Sequence, residues 1–359
     1  MTALLWLVAC TRSGGGAHVE PSFLEVTLGN VDLGTPEAPL PFSSTLAAVP
    51  VSVRALDREG APVDFDGDLS VRVRPGRLGE DPWIQVTDGV WSGTVSIRNG
   101  FGPTRIWFTD EGDKDQGTGR APGWAAGVSP AFHYRFPTLS EMQETTDPET
   151  NQLAGEFARV RVDDRRVVVT AREAAGFWVT DLDSPVGSGN NLYVYTFQRP
   201  PSEAVVGARL TLLGGIDQEY LASTQISHPT LAFAPDAPVA PPEAAELDAC
   251  DDPLAVEGLE AARVRLTDAV VPEDFGPGSE AYADYLAYGQ WPLVVGNCTW
   301  YVESSGAAPD LVAVELAGRT LPRVEGMLKQ IFDKWVLVLV DAADLTLPAA
   351  RPAAPRSAR

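Results

Sequence analysis

Short apolar runs that alternate with polar residues constrain this chain more than any other feature. Val51-Ser52-Val53-Arg54-Ala55, Leu69-Ser70-Val71-Arg72-Val73 and Gly93-Thr94-Val95-Ser96-Ile97 all repeat with period two. Successive side chains on a strand point to opposite faces, so this pattern describes strands with one buried and one solvated face. Turn signals stand between the runs: Asp57-Arg58-Glu59-Gly60, Asp66-Gly67, Pro75-Gly76, Asp88-Gly89 and Asn99-Gly100. Long runs of helical period are nearly absent. The expectation is an all-β chain, and 359 residues leave room for two or three domains.

Charge narrows the partners. The formal net charge is -22. Nucleic-acid affinity comes mainly from Lys and Arg neutralising phosphates, so a nucleic-acid partner is disfavoured. Only Lys114, Lys329 and Lys334 are lysines. The basic stretch of Arg159, Arg161, Arg165, Arg166 and Arg172 is the one local exception.

Catalytic patterns are missing. His18, His133 and His228 are isolated from one another, and none lies in a recognised nucleophile motif with a Ser or Cys. They lack metal-ligand spacing, and there is no phosphate loop or dinucleotide fingerprint. The expectation is therefore no enzymatic activity and no cofactor. The nearest metal candidate is Asp64, Asp66 and Asp68, three carboxylates at alternate positions whose hard oxygens suit calcium. No Glu follows at the spacing of an EF-hand, and a solvated turn is the plainer reading. Asp110, Asp113 and Asp115 form a similar acidic loop. Asp181 and Asp183 could pair for acid–base work, although turn capping explains them more simply.

The first residues carry an address. The apolar run Ala3-Leu4-Leu5-Trp6-Leu7-Val8-Ala9 ends in Leu7-Val8-Ala9-Cys10. This resembles a bacterial lipobox, in which a small residue precedes the cysteine that receives the lipid. Only Met1 and Thr2 precede the run, where a signal peptide ordinarily carries Lys or Arg. A membrane-spanning helix needs about 20 apolar residues, and Thr11-Arg12-Ser13-Gly14-Gly15-Gly16 interrupts the run well before that. The resemblance implies a signal peptide over 1–10, lipidation at Cys10, a tether and first-strand region over 11–42, and a cell-envelope location at the outer membrane. Cys250 and Cys298 are the remaining cysteines. In an oxidising compartment they are expected to form a disulfide.

Two further resemblances organise the rest. Over 43–136, the Ala55-x-Asp57-x-x-Gly60 turn is followed by Pro62 to Gly67, Gly89-Val90-Trp91-Ser92-Gly93, Thr104 to Asp110 and Gly127 to Phe132. That order resembles bacterial immunoglobulin-like domains of cell-surface proteins and implies a β-sandwich. Over 153–233 come Ala158 to Val162, Val167 to Ala171, Gly176-Phe177-Trp178-Val179-Thr180-Asp181, Asn191 to Thr196, Val206 to Gly215 and Thr224-Gln225-Ile226. This resembles the OB-like barrel attached to secreted bacterial nucleases. A second copy over 257–347 runs from Leu259 to Leu266, through Trp291 to Val295, Cys298 to Val302 and Arg323 to Leu328, to Trp335 to Leu345. Linkers are expected at 137–152 (acidic) and 234–256 (rich in Pro, Ala and acids), and a disordered tail at 348–359. The expected fold is an immunoglobulin-like β-sandwich followed by two OB-like β-barrels.

On an OB barrel, strands 2 and 3 carry the oligonucleotide- or oligosaccharide-binding face. Trp178, Tyr193, Tyr195 and Phe197, with Arg159 and Arg161, are the candidate ligand-binding residues, against a plainer reading of core packing. Alternation places Tyr193, Tyr195 and Phe197 on one face. The expected function is a non-enzymatic, membrane-anchored envelope lipoprotein that binds protein or glycan. The resemblance also implies an alternative, a nucleic-acid-binding accessory to extracellular nuclease activity. A hydrolase with an unrecognised site ranks last.

Overall fold

A computed structural model describes residues 23–112, 125–145, 153, 155–247 and 250–348. The segment 1–10 expected to be a signal peptide, the lipidation candidate Cys10, His18, Asp113, Asp115 and the tail beyond Pro348 lie outside those residues. The architecture is all-β. Two compact units divide at His133 and Tyr134. Among the described residues, no helix is long and apolar enough to cross a membrane.

The first unit is a sandwich. Its strands are β1 (Phe23–Leu28), β2 (Ala47–Leu56), β3 (Gly67–Arg74), β4 (Arg77–Leu78), β5 (Trp83–Val86), β6 (Val90–Arg98), β7 (Gly102–Asp110), β8 (Gly127–Val128) and β9 (Phe132–Tyr134). One sheet has the order β1-β2-β6-β4, the other β5-β3-β7-β8 with β9 also on β7. Val49, Val51, Val53 and Ala55 of β2 are buried, as are Leu69, Val71 and Val73 of β3. These are the period-two positions of the sequence. The Asp57 carboxylate accepts the N–H groups of Glu59 and Ala61 at 3.0 and 2.8 Å, which closes the turn after β2. Asp88 and Gly89 both have positive φ, and a Cβ on Gly89 would stand 2.0 Å from the Val63 carbonyl oxygen. Only glycine fits there.

The second unit begins with structure where the sequence suggests a linker. Leu139–Met142 forms a short helix, α1, because Thr138 and Glu141 make a reciprocal capping box. Leu139 and Met142 lie one turn apart and are both fully buried. The first barrel follows: β10 (Phe157–Val160), β11 (Val167–Arg172), β12 (Gly176–Asp181), β13 (Asn191–Tyr195), β14 (Leu210–Tyr220) and β15 (Ser223–Phe233). Their order is β10-β14-β15-β13-β12-β11, with β13 and β15 parallel. A bridge between Val168 and Arg209 and the bond from Val169 N–H to Ala208 O (2.9 Å) link β11 to the start of β14.

The second barrel repeats this topology. Its strands are β16 (Ala245–Glu246), β17 (Arg263–Val270), β18 (Gln290–Val295), β19 (Cys298–Glu303), β20 (Thr320–Ile331), β21 (Lys334–Val338) and β22 (Leu345–Thr346). β17 pairs with both β18 and β20, so β17-β18-β19-β21-β20 forms a closed ring. β19 and β21 are parallel, as β13 and β15 are in the first barrel. The first strand of the ring starts at Arg263, later than the apolar run at Leu259 suggests. Helix α2 (Pro253–Glu257) and a turn through Ala261, at φ 58°, take up the difference. Helix α3 (Glu280–Tyr288), which strand periodicity does not foretell, fills the connection from β17 to β18. Trp291, Leu293, Trp300 and Val302 fill the core. Cys250 and Cys298 form the expected disulfide, with Cα atoms 5.7 Å apart. It ties the inter-barrel segment to the first residue of β19.

The two barrels share a second core. Ala171, Trp178 and Tyr193 of the first pack against Ala261, Met327, Val336 and Val338 of the second. Strand β21 is therefore buried on both faces: Leu337 points into its own barrel, Val336 and Val338 into the shared core. Burying a side chain of this size contributes about 1.5–3 kcal/mol. Hydrogen bonds accompany the contact: Phe332 N–H to Leu221 O (2.8 Å), Gly189 N–H to Gly258 O (2.9 Å) and Thr224 N–H to Glu260 Oε2 (3.0 Å).

Candidate functional site

The shared core removes part of the expected binding face from solvent. Trp178 and Tyr193 are 1% and 3% exposed. The second barrel covers them, so neither can stack on a ligand. Strand β12 shows why. It is buried along its whole length, with Phe177 packed on Phe233 inside the barrel and Trp178 turned outward into the shared core.

From Tyr193 a row of rings runs outward. Gly176 makes room for it, since a Cβ there would stand 2.2 Å from the Tyr193 hydroxyl. Ring centroids are 5.0 Å apart for Trp178–Tyr193 and 6.4 Å for Tyr193–Tyr195. Tyr195–Phe197 and Phe197–His228 follow at 4.4 and 4.5 Å. The shared face that alternation predicts for Tyr193, Tyr195 and Phe197 is present, and His228 extends it. Tyr195 is half-buried, His228 is exposed, and Phe197 is 53% exposed. Phe197 and His228 have φ values of 62° and 50°. The ladder between β14 and β15 shifts register between Gly214 and Ile216, opposite this part of β15. A bulge of this kind re-aims side chains.

Polar groups surround the inner end of the row. The Tyr193 hydroxyl donates to Glu173. Burial, then the Glu173 charge and this hydrogen bond, push the Tyr193 phenol above its usual pKa, so it stays a donor. The Lys329 ammonium lies 4.9 Å from the Tyr193 ring centroid, a cation–π distance. Burial pushes the Glu303 carboxyl up, Glu173 adds to this, and Lys329 opposes it. Lys334, paired with Asp284, sits 4.9 Å from the Tyr301 ring centroid. Nothing in the local sequence around Glu173, Glu303, Lys329 or His228 marks them as site residues. One signal was available: two of the three lysines fall on one hairpin, β20–β21.

The basic stretch does not form an open groove. The Arg159 guanidinium stacks over Phe136 at 4.8 Å, and Arg161 pairs with Asp164. Arg165 pairs with the buried Asp181, and Arg166 pairs with Asp183 at 2.7 Å. The Arg166 backbone N–H and guanidinium hold the Asp183 carboxyl below its usual range, so it is a poor proton donor. Asp181 also accepts from Asp183 N–H at 3.0 Å and thereby closes a turn. In the second barrel, Arg263, Arg265 and Arg323 converge on Glu325.

Two other places hold clustered polar groups. The acidic turn of the first unit brings together Asp64, Asp66 and Asp88, with one ligand oxygen of each within 4.8 Å of the others. Asp68 is not in that group. It belongs to β3, opposite Gln85, and the turn after β5 supplies Asp88 instead. Asp88 N–H donates to Asp66 Oδ1 at 2.9 Å. All three carboxylates are exposed, and three oxygens are half the number that calcium takes at minimum. A cleft at the far end of β12 and β13 is lined by Thr180, Asn190, Asn191 and Arg263. Its amides serve the fold: Asn191 Oδ1 accepts from Thr180 at 2.6 Å, and Asn190 Nδ2 donates to Asp181 O at 3.1 Å. Comparison of the sequence with protein-family models and with curated proteins gives no match.

Proposed function

We propose that this protein is a non-enzymatic binding module, held at the bacterial outer membrane by a lipid on Cys10, whose fused barrels engage a glycan or protein at the envelope. The row from Tyr195 through Phe197 to His228 carries this reading. It is a set of solvent-facing rings on a rigid support, and rings pre-placed in water bind with little loss of side-chain freedom. The pairing of Arg161, Arg165 and Arg166 with carboxylates supports this reading over a nucleic-acid accessory, because a phosphate-tracking groove needs uncommitted cations. The test is titration of the full chain with labelled single-stranded DNA across a salt series. No binding at low salt is expected. Binding that weakens steeply with salt would refute the proposal in favour of the nuclease-accessory reading.

A further inference from the structure

Phe197 and His228 are bulky residues with left-handed backbone, a conformation that costs about 1–3 kcal/mol each. Phe197 remains 53% exposed and His228 is exposed, at the register shift between β14 and β15. The structural result is a pair of rings 4.5 Å apart, joined to Tyr195 at 4.4 Å. Neighbouring aromatic rings left in solvent offer a ligand an apolar face.

The geometry limits the ligand's shape. Phe197 is tilted by 46° to Tyr195 and by 53° to His228. No single plane lies against all three rings, so a flat, rigid surface touches them poorly. A single chain whose successive rings rotate can follow them. The charges limit its chemistry. Glu173 and Glu303 stand against Lys329 at the inner end, and Arg199 is exposed on the loop just past Phe197. The shelf thus has both signs and no excess cation to hold a polyanion. Carboxylates and an ammonium side by side suit hydroxyl groups, which donate and accept. The apolar C–H face of a sugar ring complements the negative face of an aromatic ring.

We infer that the shelf of Tyr195, Phe197 and His228 binds a single chain of a neutral polysaccharide, with sugar rings on Phe197 and hydroxyls served by Glu173, Glu303 and Lys329. This rests on the reading of the protein as a binding module and names its ligand class.

The test is native electrophoresis of the full chain through gels containing laminarin, hydroxyethylcellulose or amylose, with hyaluronate and single-stranded DNA as polyanions. At least one neutral polymer is expected to retard the protein. Phe197→Gly is expected to weaken that association about tenfold or more and to leave the melting midpoint unchanged or higher, because glycine accepts φ 62° without strain. Phe197→Trp is expected to keep the binding. Retardation that Phe197→Gly leaves intact would overturn the site. Phe197-dependent retardation by hyaluronate alone would overturn the ligand class but not the binding-module reading, whereas retardation by single-stranded DNA alone would overturn both. No retardation by any polymer would overturn the polysaccharide inference, whatever the stability of Phe197→Gly, and leave a protein as the ligand of the binding-module reading.

Discussion

Glu260 lies in the turn before β17, fully buried, and is the group that most exposes the barrel–barrel contact to experiment. Its Oε2 accepts from Thr224 N–H of the first barrel at 3.0 Å, and its Oε1 has no hydrogen-bond partner among the described residues. Burial raises its pKa from 4.5 to about 8; nearby Glu219 adds to the rise, and donors at Ser223, Thr224 and Gln330 oppose it. The carboxyl is therefore largely protonated in the folded state at neutral pH. The sign follows from linkage: an acid whose folded pKa lies above its unfolded value stabilises fully below the unfolded value, and that stability is lost as pH rises to the folded one. From 4.5 to about 8, at about 1.4 kcal/mol per pH unit, the loss is on the order of 5 kcal/mol at most. Glu260→Gln keeps the acceptor for Thr224 and cannot ionise. Urea unfolding, followed by hydrogen exchange in peptides covering β15 and β17, should show the parent losing stability relative to the variant by several kcal/mol between about pH 4 and about pH 9, which brackets that window. Parallel pH profiles for the two proteins would refute the reasoning.

Other outcomes follow from the same structure. Cys250→Ser, or reduction, releases a 48-residue loop and should lower the stability of the second unit by about 4 kcal/mol in the chain-entropy account; an unchanged denaturation midpoint would contradict it. Arg323, then Arg265 and Arg263, hold the Glu325 carboxyl down to about 2, against the penalty of burial. That stability is present above pH 4.5 and lost towards pH 2, so Glu325→Gln should cost about 2 kcal/mol at neutral pH, discounted for the solvated arginines, and little near pH 2. A variant equally destabilised at both pH values would exclude this. Cys10→Ala should move the protein from the membrane fraction to the soluble fraction and abolish labelling by a fatty-acid analogue; a labelled variant would place the lipid elsewhere.

The strands were legible in the sequence because each needs only local information. The period-two runs around Val51, Val71 and Val95 bury alternate residues in any sandwich, and the Asp57–Gly60 and Asp88-Gly89 turns need only the chemistry of their own side chains and backbone. The Cys250–Cys298 bridge was expected as the pair left over once Cys10 was assigned to the lipid, and the structure contains it. The candidate site was read in part. Tyr193, Tyr195 and Phe197 do share a face, since alternation along one strand sets it.

What alternation leaves open is which face meets water and which meets another domain. A buried aromatic and an exposed one have the same composition. Only the docking of β20 and β21 decided that Trp178 and Tyr193 are core while Phe197 is exposed. Likewise, Glu173, Lys329 and Glu303 are far apart in the chain and became neighbours through contacts between barrels. Asp88 replaced Asp68 in the acidic turn because strand pairing, rather than spacing along the chain, brings carboxylates together. Local backbone preference and periodicity act over a few residues, so the sequence determines them directly. Burial, charge pairing and pKa depend on what packs from elsewhere, and that exists only once the tertiary structure has formed.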